Sequence, residues 1–103
     1  MKFVATLTHP PEHCLARDGY RKEYDSWVGN LEKSAKKLGV KIDGAFVSPN
    51  EHTFYFVLES DSMDGVTQLL GPPILTHNSG RISAVITLDG GSNLLKKFTE
   101  EGR

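Results

Sequence analysis

The chain has one cysteine, Cys14, so no disulfide can form within it and no covalent framework holds it together. It has no excess of either charge: twelve basic and thirteen acidic residues leave a net −1, which excludes the basic surface of a general nucleic-acid binder. No apolar run approaches the roughly 18 residues of a membrane span. The opening Met1-Lys2-Phe3-Val4-Ala5-Thr6 is too short an apolar run for a secretion signal. There is no repeat and no low-complexity segment, and Gly90-Gly91 lacks the strand-to-helix context of a phosphate loop. What is present is 103 residues, 38% hydrophobic and 24% charged, ordinary values for one globular domain with one core. The expectation is a small, soluble, cytoplasmic protein with no nucleic-acid or membrane partner.

The apolar pattern divides this single domain, residues 1–103, into a core over 2–88 and a C-terminal extension over 89–103. Lys2 to Thr8 reads as a strand, ended by Pro10 and Pro11, which cannot donate to a ladder. Asp18 is expected to cap a helix whose apolar stripe is Tyr20, Tyr24, Trp27, Val28, Leu31, Ala35 and Leu38. Gly39 ends that helix. Val40 to Ser48 is a second strand, followed by a turn at Pro49-Asn50. Thr53 to Glu59 is a third strand, apolar on both faces and therefore central. Ser60 or Asp61 is expected to cap a short helix burying Met63, Val66, Leu69 and Leu70, stopped by Gly71-Pro72-Pro73. Ile74 to Gly80 reads as a loop and Arg81 to Leu88 as the fourth strand. Asp89 to Ser92 reads as a turn and Asn93 to Glu100 as a terminal helical turn, after which the chain frays.

The fold class is α+β. The order β-α-β-β-α-β is the split βαβ arrangement of ferredoxin-like domains, which implies an antiparallel sheet of order 4-1-3-2 with both helices on one face. Val4, Thr6, Val47, Tyr55, Val57 and Val85 are expected to make the other face apolar as well. On that order and pattern, over about residues 2 to 88, the chain resembles the dimeric α/β-barrel superfamily. Pro49-Asn50-Glu51-His52-Thr53-Phe54-Tyr55-Phe56 and Gly71-Pro72-Pro73 also resemble segments of short uncharacterised proteins of that group. The resemblance implies that the open face packs on a second copy, as a homodimer or larger assembly.

The strand order also brings the reactive residues together. Strands 1 and 3 are antiparallel neighbours, so His9, just after the first, faces His52, just before the third. The loop carrying His77 enters strand 4 at the same end, and His13 and Cys14 lie in the connection leaving strand 1. Imidazole and thiolate together suit a transition metal such as zinc, nickel or iron. His9, His13, Cys14, His52 and His77 are therefore the candidate ligands, with Glu51 and Arg17 as further polar candidates at that rim. The spacing His9-x3-His13 is not a helical ligand pair, because Pro10 and Pro11 intervene. Against this reading, loop histidines are common without any ligand, and a lone cysteine is often inert. Cys14 with His9 or His13 would make a nucleophile and base, but no third orienting group or oxyanion hole is visible.

No pattern in the sequence names a reaction or a catalytic residue. The leading expectation is a metal-binding protein, with no cofactor other than the metal. The alternatives are a cofactor-free enzyme of the monooxygenase or isomerase type, holding a small aromatic substrate in the cleft between helix and sheet, and a non-catalytic ligand-binding or assembly module. The first alternative follows from a resemblance to antibiotic-biosynthesis monooxygenases.

Overall fold

A computed structural model of the protein describes residues 1–101; the expected fraying of the last residues, Gly102 and Arg103, falls outside them. The elements are β1 (Lys2–Thr8), a 3-10 turn (Pro11–His13), α1 (Asp18–Leu38), β2 (Lys41–Ser48), β3 (Thr53–Glu59), α2 (Met63–Leu69), α3 (Ile74–His77), β4 (Ser79–Val85) and α4 (Leu88–Glu101). The four strands form one antiparallel sheet in the order β2-β3-β1-β4, which is the expected order read from its other edge. No helix among the described residues is long and apolar enough to cross a membrane.

The core lies on one face of the sheet. Phe3, Ala5 and Leu7 of β1 pair with Leu58, Phe56 and Phe54 of β3, and all six are buried. Paired residues of an antiparallel ladder share a face, so these six make one apolar surface. Leu15 from the β1–α1 connection, Ala35 of α1, Val40 just after it, Val66 and Leu69 of α2, and Leu70 and Ile74 just beyond complete the buried cluster. Trp27 reaches across from α1: its indole N–H donates to the Leu69 carbonyl at 3.0 Å, and its ring meets Phe56 edge-on at 5.9 Å. Burying an indole is favourable only when its N–H finds such a partner.

Helix ends differ from expectation in informative ways. Asp18 is the first residue of α1 rather than its cap, where its charge meets the positive end of the helix dipole. Gly39 adopts the left-handed conformation, φ 69, and Val40 donates to the Ala35 carbonyl at 2.9 Å. That closes a Schellman motif, so Val40 belongs to the helix end and β2 starts one residue later. Neither Ser60 nor Asp61 caps α2. The Ser60 hydroxyl is buried and instead bonds the backbone of Ser62, the residue preceding the helix. Met63 is exposed, unlike the rest of its stripe.

The larger corrections fall in the last third of the chain. The segment read as a loop contains α3, because Ile74 is drawn fully into the core. β4 starts at Ser79 and ends at Val85 because its partner β1 is only seven residues long and pairs with no residue beyond Val85. Gly80 sits in this pairing at φ 150, opposite Leu7, where any Cβ would collide with the Thr6 carbonyl oxygen. Asp89 to Ser92 is not a turn but the start of α4. The Thr87 hydroxyl accepts the Gly90 N–H at 3.0 Å, an N-cap that overrides the two glycines.

The sheet's other face carries Val4, Thr6, Tyr55, Val57 and Val85, each half-buried. Val47 does not join them: it pairs with Phe54 and so lies on the helix side. Phe46, paired with Tyr55, takes its place and is 62% exposed. On the helix side, α1 stands off β2. Val28 is exposed, Tyr24, Trp27 and Leu31 are only half-buried, and Ala35 is the one fully buried residue of the stripe.

Trp27→Ala removes both the ring packing and the bond to Leu69, and should lower stability by about 3 kcal/mol. Trp27→Phe, which keeps the packing, should lower it by about 1 kcal/mol. Urea unfolding measures both; an unchanged midpoint for Trp27→Ala would show that α1 does not rest on the sheet as described.

Candidate metal centre

The site begins where β1 stops. The His9 N–H donates to the His52 carbonyl at 3.1 Å, adding one step to the β1–β3 ladder, and the Thr8 hydroxyl donates to the same carbonyl at 3.1 Å. The Thr53 hydroxyl bonds back to the Glu51 carbonyl at 2.9 Å. These bonds fix the end of the β2–β3 turn against β1. His52 itself is held at φ 50, in the left-handed region, which is uncommon for non-glycine residues although histidine enters it more readily than most. A non-glycine residue there stores about 1–3 kcal/mol of strain, and such residues concentrate at functional sites.

Cys14 arrives by a different route. Pro11 opens the 3-10 turn, where its missing N–H costs nothing, and Cys14 closes it by donating to the Pro11 carbonyl at 3.1 Å. Leu15 then anchors the chain in the core. The chain therefore doubles back, and Cys14 returns to His9. Ligand atoms of His9, Cys14 and His52 all lie within 4.8 Å of one another, the one such trio of potential metal ligands among the described residues. Two imidazoles and a thiol at this separation could hold a transition metal.

His9 is the most constrained of the three. It is buried, and its Nδ1 lies 2.8 Å from Asn78 Oδ1. The Asn78 side-chain amide donates through Nδ2 to the Ile74 carbonyl at 2.8 Å, which fixes its orientation and leaves Oδ1 as an acceptor. In the neutral ring this contact puts the proton on Nδ1 and leaves the lone pair on Nε2. That Nε2 is fully buried and has no hydrogen-bond partner. A buried acceptor left unpaired costs about 1–3 kcal/mol, which a metal bound at Nε2 would offset. Orientation of a ligating imidazole through its other nitrogen is the usual support for such a ligand.

The other sequence candidates lie elsewhere. The histidines form two pairs rather than one group of four: His9 with His52 at 5.2 Å between ring centroids, and His13 with His77 at 6.2 Å. The 3-10 turn carries His13 toward the start of α1, where its ring stacks on Tyr20 at 6.1 Å. His77, at the end of α3, packs on Tyr20 at 4.5 Å and faces Glu23 at 3.4 Å. Glu51 is exposed and accepts the Tyr55 hydroxyl at 3.1 Å, a bond that raises the Tyr55 pKa. Arg17 is exposed and points back to the Pro11 carbonyl at 3.5 Å.

Asn78, in contact with His9, is a residue of the candidate site that the sequence does not single out. Its signal was its place: it precedes the strand that enters beside the end of β1. A hollow of about 310 Å³ lies beside the trio, between α1 and the sheet. His9, Cys14 and His52 line it together with Leu15, Ala16, Tyr24, Val47, Pro49 and Phe54, and with the Arg21–Asp25 ion pair. Burial raises the pKa of the Tyr24 phenol, Asp25 adds to the rise and Arg21 opposes it, so the hydroxyl stays neutral. A second hollow of about 150 Å³ shares Tyr24, Val47 and Phe54 and runs on between α1 and β2 toward Trp27.

No protein-family model matches the chain, and no curated protein matches its sequence. The site is read from its own chemistry.

Removing the support of His9 should weaken metal binding without touching a ligand. Asn78→Leu should lower affinity by about 10–100-fold, and Asn78→Asp, which keeps an acceptor for Nδ1 but loses the bond to the Ile74 carbonyl, should lower it less. Competition with a chromophoric chelator measures this. Equal affinities for wild type and Asn78→Leu would show that Asn78 does not orient a ligand.

Proposed function

We propose that the protein binds a transition metal, zinc, nickel or iron, through His9 Nε2, Cys14 Sγ and one ring nitrogen of His52. The observation that supports the reading is the buried, unpartnered Nε2 of His9, on a ring that offers a ligand atom within 4.8 Å of those of Cys14 and His52. A lone thiol suits this role in the reducing cytoplasm, where it stays unpaired. Three protein ligands leave a tetrahedral metal one open position, the pattern of a reactive site rather than of a structural one.

A second reading has its own support. The hollow that His9 lines is mostly apolar-walled, and the Nε2 of that ring is buried and unpartnered. In that reading the protein is a cofactor-free enzyme in which His9 takes a proton from a small organic substrate.

Cobalt(II) titration of untagged protein separates the two. The metal reading expects a thiolate-to-cobalt charge-transfer band that saturates at one equivalent, is lost in Cys14→Ser, and is lost with the metal in His9→Ala/His52→Ala. A band no stronger than that of a control protein with surface histidines would leave the cofactor-free reading.

The proposed assembly is a ferredoxin-like dimer of the α/β-barrel type. Supporting it is the open sheet face, where Val4, Tyr55 and Val57 lie beside the exposed ring of Phe46. The α4 side chains Leu95 and Phe98 are also bare, at 66% and 64% exposure. Apolar surface of this kind marks an interface. Light scattering should give twice the chain mass at micromolar concentration, and Val57→Asp should shift it to the monomer. A wild-type monomer at that concentration would rule the dimer out.

A further inference from the structure

We propose that the metal held by His9, Cys14 and His52 takes as its fourth partner a small aromatic anion, whose ring lies in the cleft between α1 and β2. The inference rests on the metal reading above and adds the class of ligand.

Charge selects the head group. A divalent ion with two neutral imidazoles and one thiolate keeps one net positive charge. All three ligand side chains line the hollow, so the metal's open position is reached from it. The cationic side chain lining the hollow, Arg21, is paired with Asp25 at 3.3 Å, and the Tyr24 phenol is neutral. The bound metal is thus the one uncompensated charge at the hollow, and an anion is its complement.

The walls select the body. Leu15, Val47, Pro49 and Phe54 present hydrocarbon, and Tyr24 presents an aromatic face. The space of about 310 Å³ lies at the small end of ligand pockets, which begin at about 300 Å³. It has room for one ring and its head group. The Tyr24 and Phe54 rings stand 5.9 Å apart between centroids, within the range of aromatic packing, and both border the hollow. The narrower hollow toward Trp27 gives a ring substituent somewhere to go, along α1.

The test compares two probes with the same metal-binding head. Benzohydroxamate carries a ring and acetohydroxamate carries a methyl group. Each is titrated into cobalt-loaded full-length protein while the visible spectrum of the cobalt is followed. Benzohydroxamate should bind at least about tenfold more tightly, the lower end of what burying a phenyl group supplies. In Val47→Asn, which puts an amide into the apolar wall and leaves the three ligands in place, that preference should fall to within about twofold of none. The affinity for cobalt, read in the same samples, reports on the metal site separately. Equal affinities of the wild type for the two probes overturn the inference and leave the metal reading standing. Benzohydroxamate binding as tight to metal-free protein as to the cobalt form overturns it as well. Failure of cobalt to bind removes the metal reading and the inference together.

Discussion

Cross-strand pairs from Lys2–Glu59 to Thr8–Thr53 join β1 to β3, and the bond from the His9 N–H to the His52 carbonyl carries the ladder one step past both strands. Fold and site depend on the same register. A slip of one residue would turn Phe54, Phe56 and Leu58 to the open face and leave the core without half its sheet surface. The same slip would part His9 from His52. Burial of six large and small apolar residues therefore sets the separation of two polar ones, which have little energy of their own to choose it. The bond from Thr8 to the His52 carbonyl adds a local lock, and the left-handed backbone of His52 is held by that lock.

The second constraint is the distance of α1 from β2. A helix that closed fully onto the sheet would bury Tyr24, Trp27 and Leu31 and leave no space beside the histidines. It is instead tied at its far side, by Trp27 to Leu69 and by Ala35 in the core, and the edge strand is left partly bare. Apolar area that could have been buried remains open, at a loss of roughly 25 cal/mol for each Å². Stability given up beside a reactive group is characteristic of sites that receive something.

The sheet was legible in the sequence because its signals agree. Alternation in β1, the unbroken apolar run of β3 and the stripe of α1 each point to one order of elements, and adjacency of His9 and His52 follows from that order. Cys14 was legible as a candidate but not as a choice: nothing in the sequence ranks it above His13, since a one-residue difference along a 3-10 turn decides which side chain looks inward. His77 and Asn78 show the same limit. Adjacent residues leave α3 in different directions: His77 faces Glu23, and Asn78 reaches His9. The last strand was misplaced because Ile86 and Leu88 continue its alternation after its partner has ended. The N-cap at Thr87 was hidden by the glycines that follow it, whose turn preference loses to a satisfied helix end.

Gly80 places a quiet liability beside all this. It lies two residues after Asn78, and its bare α-carbon lets β4 approach the Thr6 carbonyl of β1. Any side chain there would push the start of β4 away from the sheet, and the Asn78 amide would move with it. His9 would then be free to change tautomer and turn its lone pair elsewhere, with every ligand still in the chain. A genetic screen for loss of the proposed metal binding would score this glycine alongside the histidines, although it supplies none of the three ligand atoms. An inventory of essential positions compiled from such a screen would therefore draw the site larger than its chemistry, with part of its outline traced by backbone clearance.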